Sequence, residues 1–163
     1  MAATINVAGL VTIKVDAGSG LEILGYSADM ADATDQSFWH DVPGDLHGGS
    51  QGPPIDSQYL GQITRIRLEL SKFDAAVANK VRARLNAATA GTIADANIGD
   101  LALQDSKTIR LLLSSAGDPI NFPLCMVKDA VEMARGTKYS TFVCEFEAHR
   151  NQTTGVLFNA VEV

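Results

Sequence analysis

The chain has 163 residues, 46% of them hydrophobic and 20% charged, which suits one domain burying roughly 70% of its unfolded surface and excludes a disordered polypeptide. A formal net charge of -6 argues against a nucleic-acid reader, which needs a basic face, and no apolar run approaches the ~20 residues of a membrane-spanning helix. The two cysteines, Cys125 and Cys144, are too few for a disulfide scaffold, and residues 1–10 lack the basic and apolar stretches of a signal peptide, so a cytosol-like compartment is expected.

Val7 to Val15 alternates apolar and polar residues with a period of two and predicts a strand. The turn cluster Asp16–Gly20 follows, and Leu21 to Tyr26 reads as the returning strand of a hairpin. Ile63 to Leu70 is the clearest strand. Ile66, Leu68 and Leu70 point one way, while Arg65, Arg67 and Glu69 point the other. Asp74 is a good N-cap for a helix whose apolar side is Val77, Val81, Leu85 and Ala88, with Lys80, Arg82 and Arg84 on its other sides and Gly91 as its stop. Lys107 to Leu113 is a strand with Ile109, Leu111 and Leu113 inward, and Gly117–Pro119 is a turn. Phe122 to Ala134 admits a short helix, but Pro123 and its brevity favour two short strands. Thr141 to Ala148 sets Phe142, Cys144, Phe146 and Ala148 against Val143, Glu145 and Glu147, and Val156 to Val163 is expected to be a last strand. About seven strands and one helix make a mainly β, α+β fold. The expected form is a single-domain antiparallel β-sandwich or half-barrel over residues 1–163, with one flanking α-helix and a long inserted loop.

That loop is Ser27 to Leu60, a stretch without sustained periodicity and longer than the ~12–15 residues that compact domains ordinarily tolerate. It holds Asp29, Asp32, Asp35, Asp41, Asp45 and Asp56 and no Lys or Arg; the rest of the chain has 13 acidic and 13 basic residues, so all the net charge lies here. Phe38, Trp39, Val42, Leu46, Ile55 and Tyr59, set among prolines and glycines that include Pro53 and Pro54, mark an ordered excursion rather than a linker. Trp39 is the only tryptophan, and tryptophan and tyrosine are favoured interface anchors. The loop either docks on a neighbouring copy, covers its own sheet, or closes over a small ligand. Phe38, Trp39, Pro53, Pro54, Ile55 and Tyr59 are its candidate contact residues, and Arg65, Arg67, Arg82 and Arg84 a candidate basic face to receive it.

Catalytic patterns are sparse. His40, Asp41 and His47 form the one site-like cluster, but no HxxxH, HxH or CxxC spacing accompanies them. The serines lie outside any GxSxG elbow, and the glycines of Gly48–Gly52 lack the lysine ending of a phosphate loop. Cys144, between Phe142 and Phe146, reads as a buried hydrophobe. No enzyme activity, cofactor or metal is expected.

The stretch from Val42–Asp45 through Gly52–Asp56 into Gln62–Asp74 and its helix resembles the tail tube proteins of long-tailed bacteriophages, whose fold is shared with the inner tubes of contractile injection machines. The closing segments Gly136–Ser140, Phe142–Ala148 and Gly155–Asn159 extend that likeness over most of the chain. The resemblance implies a virion structural protein, assembled in the host cytoplasm, whose strands join those of neighbours into hexameric rings. In such families the long loop reaches the adjacent ring, the partners are further copies and other tail proteins, and DNA passes through an acidic lumen without specific binding. Glu145 and Glu147 are the candidates for that lumen, and no membrane is involved. A head decoration protein, tail terminator or neck component is the alternative.

Overall fold

In the computed structural model, residues 11–18, 20–27, 31–44, 49–83, 98–99, 101, 108–115, 118–128, 130–136 and 140–159 are described, with backbone alone for residues 44, 49–53, 115, 118 and 135. Strands β1 (Val11–Asp16) and β2 (Glu22–Ser27) form the expected hairpin, whose turn is held by Gly18 N and Gly20 N donating to Asp16 Oδ1 at 2.8 and 3.0 Å. Next come β3 (Asp32–Gly44), β4 (Gly49–Leu70) and β5 (Lys72–Phe73), and then helix α1 (Ala75–Ala83). The chain continues through β6 (Ile109–Ser115), β7 (Asp118–Val127), β8 (Glu132–Arg135) and β9 (Ser140–Ala148). The two short strands expected between Phe122 and Ala134 are thus β7 and β8.

All strand pairs are antiparallel, in the order β3-β4-β9-β7-β6-β1-β2-β5, with β8 beside β9. The path turns back on itself, because its last strand, β5, follows its second, β4, after Ser71 alone. The sheet therefore curls round on itself without a ladder joining β2 to β4, and Ser27 Oγ spans the gap by donating to the Glu69 carbonyl at 3.3 Å. Gly25 makes the closure possible: a Cβ there would collide with the Lys72 carbonyl of β5. The mainly β, α+β half-barrel expected from the sequence is found, as one curled sheet rather than two stacked ones.

Apolar alternation decides which residues fill the curl. Ile13 and Val15 of β1, Ile66, Leu68 and Leu70 of β4, Leu111 of β6, and Phe142, Cys144, Phe146 and Ala148 of β9 are all buried. Helix α1 closes the core with Val77, Ala78 and Val81. Asp74 caps it, accepting from Ala76 N at 2.8 Å and Val77 N at 3.1 Å, and ties it to β2 by donating its own N–H to the Leu24 carbonyl at 2.8 Å. Arg84, Leu85, Ala88 and Gly91, expected in and after this helix, lie outside the described residues.

Two expectations are corrected. The expected final strand, Val156 to Val163, is reduced among the described residues to one bridge, Asn121 to Asn159, with N–H···O distances of 2.8 and 3.0 Å. The return toward β7 is made instead by a turn in which Gly155 N donates to the Asn151 carbonyl at 2.8 Å, followed by burial of Leu157. More consequential is the segment from Ser27 to Leu60. Its described part is no loop but most of a β-hairpin, with β3 running antiparallel to β4 from Asp32 opposite Arg67 out to Gly44 opposite Gly49.

A candidate assembly surface on a two-stranded arm

The hairpin has a root and an arm. At the root, β4 from Thr64 to Leu70 also pairs with β9, so the ribbon is part of the sheet. Beyond Thr64, β4 pairs with β3 alone. The nine residues Gln36 to Gly44 of β3, at about 3.4 Å each, carry the ribbon roughly 30 Å past the sheet.

The register shifts between Phe38 and Trp39, where β4 contributes the extra residue Leu60 beside Gly61, whose φ of 124° suits glycine. Since β3 itself is uninterrupted, its side chains keep alternating. Trp39 and Asp41 continue the core-side face, opposite Tyr59 and Ser57; Phe38, His40 and Val42 continue the outer face.

On the arm the apolar side chains are wet. Phe38 is 41% exposed, Trp39 57%, Val42 37%, Ile55 67%, Tyr59 50% and Leu60 61%. Trp39 and Tyr59 pack against each other as a tilted pair, with ring centroids 5.0 Å apart and planes at 56°, and both keep half or more of their surface in water. Several of the arm's polar groups, by contrast, are paired internally. Trp39 Nε1 donates to Ser37 Oγ at 3.1 Å, Ser57 Oγ to Asp41 Oδ1 at 2.8 Å, and Tyr59 Oη to Gln62 Oε1 at 3.3 Å. At the root Thr64 Oγ1 donates to Asp35 Oδ1 at 2.5 Å.

The six expected contact residues of this segment therefore gather on one hairpin. Pro54 is exposed there as well, and Pro53 lies in β4 with its side chain outside the described residues. Leu60, missed from the sequence, belongs with them. A mirror symmetry was available to find it, since apolar residues at 38, 39 and 42 are answered at 55, 59 and 60 across a Gly/His tip. Of the possible histidine cluster, His40 sits exposed on the arm, and His47 lies outside the described residues.

The strand half of the expected basic face, Arg65 and Arg67, falls on the same surface as the candidate lumen acids. Strand pairing places Arg65 opposite Thr34 and Glu147, and Arg67 opposite Asp32 and Glu145. Arg65 Nε is 3.8 Å from Glu147 Oε2, and Lys128 Nζ donates to Glu147 Oε1. His149 Nε2 is 2.8 Å from the same oxygen. Burial alone would raise the affinity of the Glu147 carboxyl for a proton. The Lys128 hydrogen bond and the charges of Lys128, His149 and Arg65 outweigh that and hold it below the ordinary carboxylate value. For His149, burial and the Lys128 charge lower the pKa more than Glu147 raises it. The root of the arm is thus laced to the sheet by a compensated set of charges. Arg82 is exposed on α1, while its neighbour Lys80 pairs with Glu22 at 2.6 Å.

The thiols are no nucleophiles: burial pushes Cys144 up to about 12 and Cys125 higher still.

No protein-family model matches the sequence, and no curated protein matches it. Among solved structures, the chain is similar to one from the tail of an empty gene transfer agent particle, obtained by helical refinement with C6 symmetry. The two are 14% identical with a TM-score of 0.52, over 93% of this chain and 96% of that one. A chain from the virion of the native gene transfer agent particle aligns over 84% of this chain and 88% of its own, at 13% identity and a TM-score of 0.48. At that identity the likeness is one of fold, and the fold expected from the sequence is the one this chain shares with a chain from a gene transfer agent tail.

Proposed function

We propose that this protein is a non-enzymatic structural subunit of a phage-like particle, a tail tube protein that assembles into hexameric rings stacked into a channel for DNA. The observation that carries the reading is the arm. An isolated two-stranded ribbon is marginal in water, and one that exposes six large apolar side chains is stable only against a partner. The likeness in fold to a chain from a C6-symmetric tail supports further copies as that partner. The non-enzymatic part of the reading rests on the sparse catalytic patterns of the sequence and fits the burial of both thiols. The acidic arm and the compensated charges of its root suit DNA in transit, since neither offers a run of unpaired cations to bind phosphate.

Sedimentation velocity over a concentration series tests the proposal. Hexamers and multiples of hexamers are expected for the intact chain, with loss of the multiples when the arm from Ser37 to Gln62 is replaced by a short turn. A chain that stays monomeric at every concentration sinks the reading. Trimers or single closed rings would instead favour a head decoration protein or a tail terminator.

A further inference from the structure

A cluster of titratable side chains sits at the fork where the arm leaves the sheet. The last pair joining β4 to β9 is Thr64 with Ala148, and His149 is the next residue of the chain. Its N–H donates to the Leu124 carbonyl of β7 at 2.9 Å, which holds it at the end of β9. His149 Nε2 lies 2.8 Å from Glu147 Oε1 and is closed to water. The same oxygen accepts from Lys128 Nζ, while Glu147 Oε2 has Arg65 Nε at 3.8 Å.

We infer that this cluster is a proton-sensitive latch: uptake of a proton by His149 opens the outermost rungs between β4 and β9, and the fork from which the arm springs retreats into the sheet. The latch belongs to the subunit and needs no partner, whatever the chain assembles into. Its charges are balanced while the imidazole is neutral. Asp32, Glu145 and Glu147 stand beside Arg65, Arg67 and Lys128, three charges of each sign. Asp35 of β3 accepts from Thr64 on the other face of the ribbon. Among the described residues, β8 brings no charge nearer than Glu132, opposite Val143, and Arg150 beyond the end of β9 is exposed. A protonated His149 is a fourth cation, and the second on an oxygen that Lys128 already holds.

The sign follows from those neighbours. Burial and the Lys128 charge oppose protonation of His149 more than Glu147 favours it, so the ring takes its proton more readily once the cluster has opened. The latch is therefore closed above the ordinary imidazole value of 6.5 and loosens as the pH falls past it. Glu147, held below 4.5, stays ionised across that interval, so the change is the work of one proton. Position gives that proton its leverage. Beyond Thr64, β4 pairs with β3 alone, so Thr64–Ala148 and Arg65–Glu147 end their ladder, and ladder ends open first. Ile66 and Phe146, paired one rung further in and fully buried, limit the retreat.

Hydrogen exchange read by mass spectrometry at about pH 7.5 and about pH 5.5, corrected for intrinsic rates, tests the latch at a concentration where sedimentation shows the same species at both values. In the wild type, segments covering Ile63–Arg65 and Glu147–His149 should lose protection on the order of threefold or more at the lower pH. His149→Gln should lose none. Lys128→Gln, which frees Glu147 Oε1 for the imidazolium, should also keep its protection, and it serves alone if His149→Gln fails to fold. Unchanged protection of these segments in the wild type, or a loss that survives in either variant, overturns the latch. So does a fall in urea stability over the same interval with no change at the root, because His149 would then take its proton only on global unfolding.

Discussion

Replacing Trp39 with alanine separates the two roles a tryptophan on the arm can have. With 57% of its surface exposed and about 250 Å² for a large buried aromatic, some 140 Å² is open to a partner. At about 25 cal/mol per Å² that surface contributes about 3.5 kcal/mol to docking, or roughly 300-fold in the association constant of each arm. Within the subunit the indole pairs with Tyr59, a contact that contributes about 0.5–1.5 kcal/mol and is confined to a ribbon outside the core. Trp39→Ala should therefore abolish assembly at concentrations where the wild type is fully associated. The melting temperature of the isolated subunit should fall by only a few degrees. Analytical ultracentrifugation and thermal denaturation monitored by far-UV circular dichroism read the two effects separately. A large drop in melting temperature with association unimpaired would refute the reasoning, since it would mean that the arm folds back over its own core.

Stability should fall in acid in two stages. Both His149 and Glu147 bind protons less readily in the folded chain than when unfolded, so the unfolded state takes up more protons as pH drops. The His149 contribution is complete above the ordinary value of 6.5 and is lost below it; that of Glu147 is lost below 4.5. Urea melts of His149→Gln should lack the first stage, and Glu147→Gln should cost about 1–2 kcal/mol at neutral pH by leaving Arg65 and Lys128 without their carboxylate. Gly25→Ala should separate β5 from β2 and lower the unfolding free energy by about 1–3 kcal/mol, since the new methyl meets backbone that cannot move aside. Neither thiol should react with a disulfide reagent in the native fold, and both should in denaturant.

The strands that line the core were legible because each has one dry face. Ile66, Leu68 and Leu70, and Phe142, Cys144, Phe146 and Ala148, alternate with polar residues for that reason alone. The arm was not legible as strands for the converse reason: neither of its faces is buried in the subunit, so nothing imposes a hydropathic period on Gln36 to Gly44, and Pro43, Pro53 and Pro54 read as breaks. Its composition nevertheless marked it as adhesive, and the same aromatic residues now define the candidate surface. The pairing of Arg65 and Arg67 with Glu147 and Glu145 was hidden for another reason. Register between strands so far apart in sequence is set by packing, and either strand read alone shows only an exposed charge.

Electron microscopy of the purified chain at high concentration tests the central claim most directly. The proposed function predicts sixfold rings stacked end to end, with density for each hairpin arm running from its own subunit onto a neighbouring copy. A field of monomers, or of single rings whose arms stand free in solvent, would contradict it.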